Sequence, residues 1–116
     1  MRQYRRTVVR SVRAACAVCG LATALLAASH APASSAANVG IKAFKYAPPM
    51  LTVPVGTTVT WTNHDEDPHT VTSATGAFTS AGLSNEETFA QTFTRPGTYQ
   101  YFCALHPHMR ATVVVE

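Results

Sequence analysis

An all-β sandwich is the fold class this sequence predicts, and three observations carry the prediction. No stretch after residue 36 sustains a helical period of apolar residues. Short alternating runs stand there instead, separated by Pro, Gly and Asn clusters. About seven to eight such runs fit into residues 37–116, which suits a Greek-key β-sandwich.

Residues 1–36 read as a segment of another kind. Arg2, Arg5, Arg6, Arg10 and Arg13 crowd its start, and no acid occurs before Asp65. An Ala-rich apolar run, 14–28, follows, and then a Ser/Ala/Pro stretch, 29–37. A basic start, an apolar stretch and small residues at a cleavage point make a secretory signal peptide. The apolar run is shorter than the roughly 20 residues of a membrane-crossing helix, so a membrane association is expected only if the leader stays uncleaved. Cleavage after Ala36 is the working choice; Ala33 and Ala37 fit the small-residue pattern as well. Arg5-Arg6 allows twin-arginine export beside the general secretory route. Neither Cys16 nor Cys19 sits in a lipoprotein motif. The expected location is the periplasm.

Removing the leader changes the charge argument. The whole chain of 116 residues has a formal net charge of +3 and a pI near 9.0. Residues 37–116 hold four Lys and Arg against six Asp and Glu, a balance of −2. The basic character belongs to the leader, so a nucleic-acid partner is not expected. Of three cysteines only Cys103 remains. One cysteine in an exported domain cannot form an internal disulfide, which leaves a reactive thiol, an intermolecular bridge or a metal ligand.

The strands follow in order. Residues 39–46 form a first strand whose apolar phase shifts between Ile41 and Phe44, which predicts a bulge or bend. Pro48-Pro49 breaks it, and Leu51, Val53 and Val55 alternate along a second, with Pro54 marking an edge. After Gly56, Val59 and Trp61 face one way and Thr58, Thr60 and Thr62 the other. A short strand spans 69–73, and an irregular connection spans 74–86. Phe89 and Phe93 share a face of the next strand, with Gln91 between them. Arg95-Pro96-Gly97 turns the chain into a strand where Tyr99, Tyr101 and Cys103 share parity. A Val-rich strand, 112–116, closes the sheet.

The densest chemistry is Cys103-Ala104-Leu105-His106-Pro107-His108-Met109. A thiolate, an imidazole and a thioether recur there every third residue. Two His, one Cys and a weak axial Met make the blue-copper donor set. The second imidazole comes from His64, His69 or His108; His69 is best placed, because it follows Pro68 and opens the strand Thr70-Val71-Thr72. Zinc also accepts Cys and His, and a metal-free interaction module would make the spacing accidental. His64 and His108 read as surface residues, and Trp61, Phe89, Phe93, Tyr99 and Tyr101 as core. Asp65-Glu66-Asp67 reads as a solvated loop whose negative field near His69 would steer a cationic partner.

These residues resemble the cupredoxins and, among them, the amicyanin group. The resemblance runs through Val59-Thr60-Trp61-Thr62-Asn63, Pro68-His69-Thr70-Val71, Pro96-Gly97-Thr98-Tyr99, the Cys103–Met109 loop and the closing 110–116 strand. It implies one type 1 copper ion held by His69, Cys103, His106 and Met109, with Met109 as the long axial contact. It also implies a one-electron carrier, not an enzyme, with no small-molecule substrate. The expected state is a monomer whose protein redox partners dock at an exposed His106. A copper-delivery protein of the same fold is the alternative; the leaderless chain has only Met50 and Met109 for exchangeable thioether clusters, which favours the carrier. In the resembled family an asparagine after the first histidine bonds to the cysteine loop, and a hydroxyl residue often follows the cysteine. Thr70 and Ala104 stand at those positions and put that bond in question. Leu105 and His108 replace a proline and an aromatic of the docking rim, which weakens any carry-over of a specific partner.

Overall fold

The computed structural model describes Ala27 and residues 34–116. The predicted leader otherwise lies outside the described residues. Eight strands follow: β1 (Ala36–Lys42), β2 (Lys45–Ala47), β3 (Met50–Val53), β4 (Thr58–Asn63), β5 (Thr72–Ser73), β6 (Thr88–Thr92), β7 (Gly97–Phe102) and β8 (Arg110–Val115). They form two four-stranded sheets, β2-β1-β4-β6 and β3-β8-β7-β5. This is the Greek-key sandwich the alternating runs predict.

Alternation decides which residues the two sheets enclose. Val59, Trp61 and Asn63 of β4 are fully buried, while Thr58, Thr60 and Thr62 are only partly covered. Trp61 centres the core, its ring 5.5 Å from Tyr101, 5.8 Å from Phe89 and 6.0 Å from Phe78. Burying rings of this size contributes more than any other contact in a small domain. Gln91, on the Phe face of β6, is half-buried and donates to the carbonyl of Thr92, so it needs no partner in the core.

Three local expectations change. The predicted bend in the first strand is a complete reversal: β1 and β2 form an antiparallel hairpin, Lys42 opposite Lys45. Ala43 and Phe44 make its two-residue turn with φ of 52° and 58°. That is the turn type matching strand twist, and it usually recruits Asn or Gly. The second strand ends at Val53, because Pro54 cannot donate to a ladder; Val55 lies beyond it, 45% exposed. The strand is at the edge as predicted, pairing with β8 alone. The third change is at His69. It precedes β5 and is held by an isolated bridge to Leu83, its amide donating at 3.1 Å and its carbonyl accepting at 2.7 Å.

Two parallel pairings tie the chain ends of the domain into the sheets. β1 runs parallel to β4 from Ala36 opposite Thr58 to Ile41 opposite Asn63, and β3 runs parallel to β8. The amide of Thr58 also donates to the carbonyl of Ser35 at 2.9 Å. The β1–β2 turn, the connection after β4 and the β7–β8 loop meet at one end of the sandwich, and the chemistry gathers there.

Candidate metal centre

Cys103 follows β7 directly and is fully buried. The loop after it closes on itself: the Cys103 amide donates to the Met109 carbonyl at 3.1 Å, and the Met109 amide to the His106 carbonyl at 2.9 Å. A seven-residue loop tied at both points returns directly to β8. It buries Met109 and leaves His106 half-exposed.

Three donor atoms converge under this loop. Nδ1 of His69 is 3.2 Å from Nδ1 of His106, and the Cys103 sulfur is 3.8 Å and 3.7 Å from those nitrogens. One point lies about 2.1 Å from all three atoms, a bond length typical of a first-row metal to imidazole and slightly short for sulfur. His69, Cys103 and His106 therefore fit a single metal ion. Two imidazoles and one thiolate are a donor set that would suit copper in an electron-transfer site. Of the histidines proposed for the second imidazole, the structure brings in His69. His64 points instead at Glu86, with Nδ1 3.1 Å from Oε1 and both side chains exposed. His108 is exposed, its ring centroid 6.3 Å from that of His106.

Asp65 was read from sequence as part of a solvated loop, and the structure corrects this. One carboxylate oxygen accepts from the amide of Ala43 at 2.7 Å; the other accepts from the amide of Phe44 at 2.9 Å and sits 2.9 Å from Nε2 of His69. The His69 contact gives Nε2 the proton and turns the Nδ1 lone pair toward the donor cluster. Burial opposes ionisation of Asp65, but the bonds from Phe44, Ala43 and His69 outweigh it and hold the carboxyl below its usual range. The same bonds support two left-handed residues that otherwise cost about 1–2 kcal/mol each. Asn63 fixes the loop carrying Asp65: its side chain accepts from the Asp65 amide at 2.9 Å and donates to the carbonyls of Asp67 and Leu83, both at 2.8 Å.

Thr70 keeps the bond that its replacement of asparagine put in question. Its hydroxyl accepts from the Ala104 amide at 2.7 Å, and its own amide donates to the Cys103 sulfur at 3.3 Å. Because the cysteine loop offers a backbone N–H, residue 104 needs no hydroxyl for this tie. The Thr70 carbonyl accepts from the buried Tyr46 hydroxyl. Phe44 is the second residue sequence reasoning missed. Its ring stands edge-on to both imidazoles, 5.1 Å from His69 and 5.0 Å from His106 between centroids.

Comparison with known proteins agrees with this geometry. A family profile described as "Cupredoxin-like domain" matches residues 15–115. Amicyanin of Paracoccus denitrificans is 40% identical over 127 aligned positions, covering 95% of this chain and 97% of that protein. A solved structure of an amicyanin variant in its oxidised state superposes with a TM-score of 0.67 at 41% identity, covering 71% of this chain and 83% of the other. A purple cupredoxin from Nitrosopumilus maritimus gives 0.64 at 36% identity, covering 69% and 99%. With the fold, the donor cluster and the sequence match in agreement over the strands and the cysteine loop, the chain belongs to the cupredoxin-like family.

Proposed function

We propose that the protein is an exported one-electron carrier that would hold one type 1 copper ion through His69, Cys103 and His106, with Met109 as the weakest donor. Copper, when bound, supplies a Cu(II)/Cu(I) couple that changes by one electron with no bond made or broken in a substrate. The observation that carries the reading is the single point equidistant from two Nδ1 atoms and one sulfur.

The chain's own residues perform the rest. Asp65 orients His69, the Thr70 amide supports negative charge on the Cys103 sulfur, and the tied loop sets the spacing of three donors before any metal arrives. Burial of Cys103, His69 and Met109 keeps water from the ion. A site fixed by hydrogen bonds on every side has little freedom to rearrange between oxidation states, which favours fast transfer. His106, half-exposed, is the donor nearest a docking partner. Signal-peptide removal within a few residues of Ala36 and residence in the periplasm complete the reading.

Visible and EPR spectra of the copper-loaded protein test it, with Cys103→Ser alongside. The expected result is an intense blue or purple thiolate band with narrow copper hyperfine splitting, both absent from the variant. A colourless protein with one bound zinc, or a square-planar copper spectrum that survives Cys103→Ser, overturns it.

A further inference from the structure

Beside the donor cluster lies a groove of about 650 Å³ between the β1–β2 hairpin and the end of the β7–β8 loop. Phe44, Ala43 and Met109 give it an apolar lining, and Lys42, Lys45 and Arg110 stand along it. Only four Lys and Arg occur in residues 37–116, and three of them are here. None of the three has a carboxylate within ion-pair distance among the described residues, and no acid lines the groove.

The acids are engaged or placed elsewhere. Asp65 faces inward to the hairpin amides and His69, Glu86 meets His64, and Glu87 accepts from the Ser84 amide. A domain with a net balance of −2 thus gathers three of its four cations on one face. Phe44, 37% exposed, joins that face to both imidazole rings.

We propose that this groove is the docking face for an acidic protein redox partner, with Phe44 at its apolar centre. The inference rests on the electron-carrier reading and gives the partner its chemistry. It reverses the cationic partner expected from the Asp65-Glu66-Asp67 run. An apolar centre with a charged rim is the ordinary anatomy of a protein interface, and rim cations draw an acidic patch into register and raise the association rate. A partner seated on Phe44 is one aromatic ring away from His69 and His106.

The test uses the reduced, copper-loaded protein and two one-electron oxidants of opposite charge. Hexacyanoferrate(III) takes one electron and becomes hexacyanoferrate(II); tris(phenanthroline)cobalt(III) takes one and becomes cobalt(II). Lys45→Glu and Arg110→Glu are compared with Arg95→Glu. Arg95 lies in the β6–β7 turn, at the far end of β7 from Cys103. All three variants change the net charge equally. The expected result is a fall of about five-fold in the hexacyanoferrate rate at low salt for the two groove variants, and a rise with the cobalt complex. Both effects should shrink at high salt, and Arg95→Glu should leave both rates nearly unchanged. A hexaglutamate peptide should shift the amide resonances of 42–46 and 108–110 in the same reduced protein.

Equal effects of Arg95→Glu and Lys45→Glu would show that net charge alone acts and would overturn the proposal. So would peptide shifts on another face. Binding to phosphatidylglycerol vesicles without any peptide shift would assign the groove to a membrane surface instead. Failure of the unmodified protein to cycle reversibly by one electron would overturn the carrier reading itself, a distinct outcome.

Discussion

Asp65 carries two tasks with one carboxylate. It holds a metal-site histidine in a single tautomer and it supports a turn made of residues that disfavour that turn. Replacing it with alanine leaves two backbone N–H groups and one imidazole N–H without their acceptor. Asp65→Ala is therefore expected to lower the unfolding free energy of the metal-free protein by about 2–3 kcal/mol, read by urea denaturation. Copper affinity should fall by about 10–100-fold in a chelator competition. A variant that loses affinity at unchanged stability would separate the two tasks. Neither task was legible in the sequence. The partners of Asp65 in the hairpin are 21 and 22 residues away, and a three-acid run looks the same whether its first member faces solvent or a histidine. The Cys103–His106 pair was legible because its relation is local: one short loop holds both.

At the scale of elements, the strands with strict alternation were legible and the hairpin was not. β4 shows its inward face residue by residue, since Val59 and Trp61 alternate with threonines. The β1–β2 turn has Ala43 and Phe44 where Gly or Asn would announce a reversal. Its stabilisation comes from a distant carboxylate, so the local sequence holds no turn signal. The start of β1 bears on the proposed removal of the leader. Its pairing with β4 begins at Ala36, and the Ser35 carbonyl accepts from Thr58. Of the three small-residue positions that fit the leader, only cleavage after Ala33 leaves those contacts whole. Intact-mass measurement on exported protein is expected to give Ser34 as the first residue; a start at Asn38 would show that these contacts are dispensable.

At the scale of the whole molecule, the core sets the limit of stability at alkaline pH. Burial pushes the Tyr101 hydroxyl up to about 12 and raises that of Tyr46 further, with Cys103 and Tyr101 nearby adding to the second shift. The unfolded chain ionises both near pH 10. Stability is therefore complete below about pH 10 and falls as pH rises toward the folded values, by about 1.4 kcal/mol per pH unit for each tyrosine. Tyr101→Phe is expected to remove its share of that slope in urea unfolding measured from pH 9 to 12. An unchanged slope would show that the core does not resist ionisation at this position.

The place of β8 has a consequence for the order in which the domain is made. It follows every other strand in the chain yet lies inside its sheet, between β3 and β7. A chain emerging from its N-terminus must carry β3 without a partner strand until the last residues of the domain arrive. Long-range pairing of this kind forms late and slowly. The donor loop stands directly before β8, and its closing bonds depend on the return of the chain into that strand. The metal centre is thus among the last features to acquire its shape, and an incomplete chain offers no finished cage to a passing ion. Timing, as well as donor chemistry, therefore governs when this chain can take up a metal.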